Sequence, residues 1–431
     1  MQLIRLKPSM KLMLGQTLAL GVSFFVPMLL ARQLTTEDFG TYRLVMLLQL
    51  LLTIVGSVGF DGGLFRHVRS ESYAPAFQGS LSLIWGFACG VLVSSLVWLF
   101  GPALASLLSA PDLAVYSGHL AILVLFAMPT AHVEHLCIAI DRPGLSASIV
   151  SIHALGCAGA TVSAMLTVGT LSAIFLALNI WFAARLITVS CVYLLQLRSY
   201  HYPLRTWWET AIHHMQLGFP IGGNNLLIAV GRFDRFLVSA LFGVAGFARY
   251  SVGCLEIPLA RQWIETSQNL ASVQAVDRSK TMLATANLKL WVKNCARIWI
   301  ILLPLVVLGE FFATDLLTII FGAPYSNAAN IFRVFLVGLL FSAFDPELFF
   351  RATQKASIST VSNLVAMIIF AVSAFGFYRF DYLSLEGLMA LRVGIEIINT
   401  ATKYCIFLWI NVKKKPLQTA SEGAALISTL T

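Results

Sequence analysis

The sequence predicts an all-α, polytopic membrane protein of about twelve transmembrane helices, and three observations carry that prediction. Hydrophobic residues make up 58% of the 431 positions and charged residues only 11%, far from the mixture of a soluble globular domain. Twelve spans of about 20 residues need roughly 240 apolar-dominated positions, which the chain supplies. Lysine and arginine also alternate from side to side. With the N-terminus inside, seventeen of the 29 fall in segments on the inner side, and three, Arg32, Arg43 and Arg379, fall outside. Basic residues accumulate in cytoplasmic loops, so both termini are expected in the cytoplasm. The net charge of +9 then reflects topology and not a nucleic-acid footprint.

The first span is expected near 10–31. Its apolar stretch follows Arg5, Lys7 and Lys11 and runs into Arg32 without a small-residue cleavage pattern, so no cleaved signal is expected. Further spans are expected near 42–65, 79–100, 116–140, 145–168 and 171–195. In the third of these six, Gly86 and Gly90 are spaced for close helix packing. The connector 196–214 carries Tyr200, Tyr202, Trp207 and Trp208 beside Arg198 and Arg205, the composition of a helix lying in the membrane interface. The second half opens with 215–240, loosened by Pro220, Gly222 and Gly223 and carrying Arg232, Asp234 and Arg235 deeper in. Charges at membrane depth cost a few kcal/mol each, so they are expected to face a protein interior or an aqueous path. Spans near 246–270, 290–310, 327–350, 357–378 and 384–411 complete the count. The connectors are too short to hide a soluble domain, and the polar tail is expected to be mobile.

A weak internal repeat supports two halves. Phe39-Gly40-Thr41-Tyr42 recurs as Phe247-Ala248-Arg249-Tyr250 at an offset of 208. Residues 129–134 align with 342–347, and 141–146 with 354–359, both at an offset of 213. Together with equal span counts, this predicts an N-terminal six-helix lobe (1–195), a cytoplasmic connector (196–214), a C-terminal six-helix lobe (215–412) and a cytoplasmic tail (413–431). Transporters built in this way place substrate between the halves.

The stretch 29–68, with Phe39, Gly40, Tyr42, Asp61 and Gly62, resembles the opening of bacterial Wzx-type polysaccharide flippases of the multidrug/oligosaccharidyl-lipid/polysaccharide (MOP) superfamily. GRFDRFLVSALFG at 231–243 and FARYSVG at 247–253, with Asp234, Arg235 and Tyr250, are similar to the second-half signature. The resemblance implies a MATE-like bundle of two lobes around a central cavity in the bacterial inner membrane. It also implies alternating access and an undecaprenyl-pyrophosphate-linked oligosaccharide, an O-antigen or exopolysaccharide repeat unit, passed from the inner to the outer leaflet. Partners would be membrane lipid and other assembly proteins, a polymerase or chain-length regulator, with no nucleic acid. The superfamily also contains drug and metabolite cation antiporters, so that alternative stays open.

Such a cargo needs cations for its pyrophosphate. Of the cations within spans, Arg261 with Glu265 and Arg392 with Glu396 are four residues apart and can neutralise each other on one helical face. Arg185 and Arg333 have no acid three or four residues away, and Arg232 and Arg235 share a face. These four are the candidate substrate-binding residues, since a guanidinium holds phosphate oxygens through paired hydrogen bonds. The competing reading is that they lock helices together or snorkel to headgroups. Asp61, Glu134, Asp345 and Glu347 are the candidates for binding a coupling proton or sodium ion. Glu134 and Glu347 occupy equivalent repeat positions.

No enzyme is expected, and no catalytic residue. The chain has no Gly-Lys dipeptide and hence no P-loop, and its outer connectors are too short for a polymerase or ligase site. No cofactor or metal is expected: the seven cysteines show no paired spacing, and His132 with His135 lacks completing ligands.

Overall fold

The computed structural model describes residues 8–57, 75–139, 142–197, 205–213, 215–216, 233–255, 264, 284–346, 350 and 356–413. These form twelve α-helices, one short 3-10 helix and no strand. In chain order they are α1 (Pro8–Gln33), α2 (Thr36–Gly56), α3 (Pro75–Leu107), α4 (Pro111–Ala131), α5 (Val133–Ala139), α6 (Pro143–Thr167) and α7 (Leu171–Leu197). There follow α8 (Phe233–Gly253), α9 (Ala284–Phe321), the 3-10 turn Ala323–Ala328, α10 (Ala329–Ser342), α11 (Ala356–Arg379) and α12 (Leu385–Lys413). Among the described residues, nine helical stretches are long and apolar enough to cross a membrane. The protein is a multi-pass membrane protein. α10, with 14 residues, is too short to be counted, and α12 carries Arg392, Glu396 and Lys403.

Local chemistry sets the boundaries. The Thr35 hydroxyl caps α2, accepting from the Asp38 amide at 3.1 Å and donating to the Asp38 carboxylate at 2.8 Å. Pro111 and Pro143 open α4 and α6, where a missing N–H costs nothing. α4 ends at Ala131, two residues beyond its internal Pro129, and α5 begins after His132. The span expected at 116–140 is therefore two helices. The residues expected to join spans 215–240 and 246–270 hold a sharp bend inside α8, where Gly243 has φ 69° and ψ −177°. A residue with Cβ rarely adopts that φ.

The described chain forms two compact units, Met1–Ser251 with Ile320–Gly322, and Val252–Ile319 with Ala323–Thr431. Within the first, α1 packs on α6, α2 on α4, α3 on α4, and α7 on α4 and α6. Gly86 of α3 lies against the Pro129 backbone and Gly90 against Leu125, the close contact that their spacing predicted. The helical connector residues 205–213 dock here through Trp207, edge-on to Phe77 at 4.5 Å, and through Ala211 beside Leu81 and Leu136. Arg205 and Glu209 pair on the exposed side at 2.6 Å. Within the second unit, α12 packs on α10 and α11, and Trp291, Cys295, Phe350 and Phe407 form a core cluster.

The outer surface is apolar. Trp98, Leu99, Phe311 and Val372 are largely exposed, while Thr41, Gln78, Asn179, Asp234 and Lys403 are buried. This inversion is what a hydrocarbon solvent requires: apolar side chains face lipid, and these polar side chains are turned inside.

Candidate functional site

Residues of α1, α2, α6, α7 and α8, all in the first unit, wall a cavity of about 480 Å³. α1 contributes Ser23 and Pro27; the proline cannot donate to the Ser23 carbonyl four residues earlier, so one helical hydrogen bond is missing at the cavity wall. α2 contributes Tyr42, Arg43 and Gln49, α6 contributes His153, Cys157 and Thr161, and α8 contributes Arg235, Phe247 and Ser251. The described lining residues thus include two guanidinium groups and one imidazole, and no carboxylate.

The two copies of the repeat meet at this wall. Arg43 Nε donates to Ser251 Oγ at 3.0 Å, across a separation of 208 residues. That is the repeat offset, so the bond joins equivalent positions. Three residues before Arg43, a Cβ on Gly40 would overlap the Val244 carbonyl oxygen and side chain. The α3–α4 turn clasps the same bend: Ser109 Oγ donates to the Ala240 carbonyl, and Ser239 Oγ to that of Leu108, both at 2.8 Å. The Tyr250 hydroxyl donates to Asp234 at 2.8 Å, tying together the two halves of bent α8. Asp234 is buried, so this charge-assisted bond offsets part of its desolvation. Arg235, its neighbour, is buried and lines the cavity.

Of the candidate residues, Arg235 reaches the cavity, whereas Arg185 and Glu134 pair with each other. Arg185 Nη2 donates to the Glu134 carboxylate at 3.4 Å and to the Thr130 carbonyl at 3.3 Å. Asp345 accepts from Lys403 Nζ at 2.8 Å, and that ammonium-bearing side chain is only 1% exposed. The two pairs are alike in construction. In each, a cation from a long helix, α7 or α12, reaches an acid in one of the aligned segments 129–134 and 342–347. Arg333 donates to the Glu310 carbonyl at 3.1 Å and to Asn330 at 2.9 Å, which joins α10 to α9. Asp61, Arg232 and Glu347 lie outside the described residues.

Sequence reading missed Arg43 and His153. The charge count by sequence places Arg43 outside, at the start of a span expected near 42–65. The Thr35 cap starts α2 at Thr36, which puts Arg43 seven residues, or about 10 Å, along the helix. The Thr35-Thr36-Glu37-Asp38 pattern is a start signal that would have placed it. His153 carries no local signal; only the packing of α6 on α1 and α7 brings it to the wall. Among the described residues no group of three metal-ligating side chains occurs.

Residues 29–330 match a polysaccharide biosynthesis protein family. In three dimensions the chain is similar to an inward-facing multidrug resistance MATE-family transporter of the MOP superfamily. That match has a TM-score of 0.72 and 13% identity, over 94% of this chain and 99% of that one. It is also similar to a MOP-superfamily transporter from Pyrococcus furiosus described as having a binding pocket of reversed polarity, with a TM-score of 0.60, 13% identity and 95% of each chain covered. An outward-facing MATE transporter matches with a TM-score of 0.57 and 15% identity over 97% of this chain and 98% of that one. No curated protein matches the sequence. The chain belongs to the polysaccharide biosynthesis protein family and has the fold of the MOP-superfamily transporters.

Proposed function

We propose that the protein flips an undecaprenyl-pyrophosphate-linked oligosaccharide from the inner to the outer leaflet of the bacterial inner membrane, with both termini in the cytoplasm. The observation that carries this reading is the polarity of the cavity, where Arg43 and Arg235 line the wall and no described lining residue is acidic. Inside a low-dielectric wall a fixed positive charge attracts a pyrophosphate and repels an organic cation more strongly than it would in water. Membership in a polysaccharide biosynthesis family points the same way.

Arg43 and Arg235 hold the pyrophosphate in this reading, and Arg232, on the same stretch, supports them. Arg185 and Arg333, expected as substrate ligands, position helices through Glu134 and the Glu310 carbonyl. The Arg185–Glu134 and Lys403–Asp345 pairs are the places where a coupling proton or sodium ion would exchange for a fixed cation. Two six-helix lobes, 1–195 and 215–412, alternate the access, and no residue is catalytic. A polymerase or chain-length regulator would take the product.

A drug or metabolite cation antiporter is the second reading, favoured by the fold shared with MATE transporters. A deletion strain separates the two. The flippase reading expects lipid-linked oligosaccharide to pile up on the inner leaflet. Normal surface polysaccharide together with sensitivity to cationic dyes supports the antiporter instead.

A further inference from the structure

His153 is the one described histidine on the cavity wall, and its surroundings are specific. The Trp181 indole N–H donates to its Nδ1 at 3.3 Å, and the Cys157 sulfur lies 3.7 Å from the same nitrogen and 3.8 Å from Nε2. Phe182 meets the ring edge-on, with centroids 5.1 Å apart. Gly156 makes room for this arrangement, since a Cβ there would run into the Trp181 ring. With Nδ1 accepting from Trp181, the imidazole here is neutral and carries its proton on Nε2.

The described charged groups near it are three cations and one carboxylate: Arg185, which is paired with Glu134 at 3.4 Å, and Arg43 and Arg235 of the cavity wall. Arg185 stands one turn beyond Trp181 on α7 and interacts electrostatically with His153. Arg43 of α2 and Arg235 of α8 line the same cavity, as does the phenol of Tyr42, and Cys157 lies on His153's own helix. Without an anion, the cavity guanidiniums of Arg43 and Arg235 oppose a further positive charge, while Glu134 offsets that of Arg185. A dianion in the cavity reverses the balance, because its field favours the imidazolium and the new charge in turn strengthens the anion's binding. The two equilibria are linked and reciprocal.

We propose that His153 binds a proton together with the anionic head group of the cargo, so that affinity for a pyrophosphate diester depends on pH through this one imidazole. The inference rests on the anionic-cargo reading of the cavity. Protonation moves a proton from solvent to Nδ1 and displaces the Trp181 N–H; no other bond changes. His153 is then a residue that selects for anions of high charge density, beyond the fixed attraction of Arg43 and Arg235.

The test uses the full-length protein in detergent and a short-chain prenyl-diphosphosugar, a pyrophosphate diester with no titrating group of its own between about pH 5 and 8. Calorimetry gives affinity at several pH values and, in buffers of different ionisation enthalpy, the protons taken up on binding. The wild type is expected to bind several-fold more tightly at about pH 5.5 than at pH 8, with net proton uptake. His153→Gln should bind with a flat pH profile and no His153-linked uptake. Trp181→Phe, which keeps the imidazole and removes its donor, should retain the pH dependence and guards against a folding defect in the glutamine variant. Binding by the wild type with no pH dependence, or an equal slope in His153→Gln, overturns the role of His153 while leaving the cavity's assignment intact. No binding at any pH overturns both.

Discussion

Removing the carboxylate of Asp345 takes from the buried Lys403 an ionic contact at 2.8 Å. The pair is close, at 2.8 Å, and unequally covered: the Lys403 side chain is 1% exposed and that of Asp345 is 26% exposed. Breaking a buried ion pair from one side costs about 3–5 kcal/mol, because the remaining charge stays desolvated. Water reaches the Asp345 side, so the lower end of that range, about 3 kcal/mol, is expected for Asp345→Asn. Lys403→Met combined with Asp345→Asn removes both charges and keeps the packing volume, and most of the loss should return. Thermal unfolding in detergent, followed with a thiol-reactive fluorophore after the exposed Cys191 and Cys405 have been blocked, reports the uncovering of the buried cysteines, Cys295 among them. Cys295 is buried and donates to the Ala343 carbonyl at 3.3 Å, two residues before Asp345. The expected order of midpoints is wild type, then the double variant close behind, then Asp345→Asn several degrees lower. A single variant as stable as the wild type, or a double variant no better than the single, refutes the ion pair as a structural unit.

Gly40→Val forces a side chain into the Val244 carbonyl at the contact between the repeats, and overpacking of this kind costs about 1–3 kcal/mol. The same unfolding assay should show a lowered midpoint, whereas Gly21→Ala, with open space around its Cβ, should not. Glu134→Gln leaves Arg185 bonded to the Thr130 carbonyl and removes the acid. If this pair exchanges with the coupling ion, gradient-driven transport is lost while the protein still folds, with a midpoint lowered no further than that of Asp345→Asn; normal transport in this variant excludes Glu134 from coupling.

Hydropathy made the helical class and most spans legible, because a bilayer leaves almost no other way to satisfy the backbone. The family resemblance was legible for a related reason. Gly40 meets Val244 of α8, Tyr250 bonds to Asp234 across the bend, and Tyr42 and Arg235 line the cavity wall. The degenerate glycine of the repeat has a physical explanation too: Gly40 approaches the backbone of Val244, a demand specific to the first copy. Charge partners were less legible. Arg185 and Glu134 are 51 residues apart and Lys403 and Asp345 are 58 apart, so a search within one helical turn could not join them. A cavity wall drawn from five helices has no period along the sequence, which is why His153 was missed.

The central claim is that a cavity carrying Arg43 and Arg235 receives an anionic, lipid-linked head group. The most direct measurement reconstitutes the purified protein in vesicles loaded with lipid-linked oligosaccharide and follows exposure of the sugar to a glycosidase on the far leaflet. The wild type should expose it, and the Arg43→Gln/Arg235→Gln double variant, folded by its unfolding midpoint, should lose most of that rate. A double variant as fast as the wild type, or wild-type vesicles that accumulate a cationic dye while the oligosaccharide stays in place, would contradict the account.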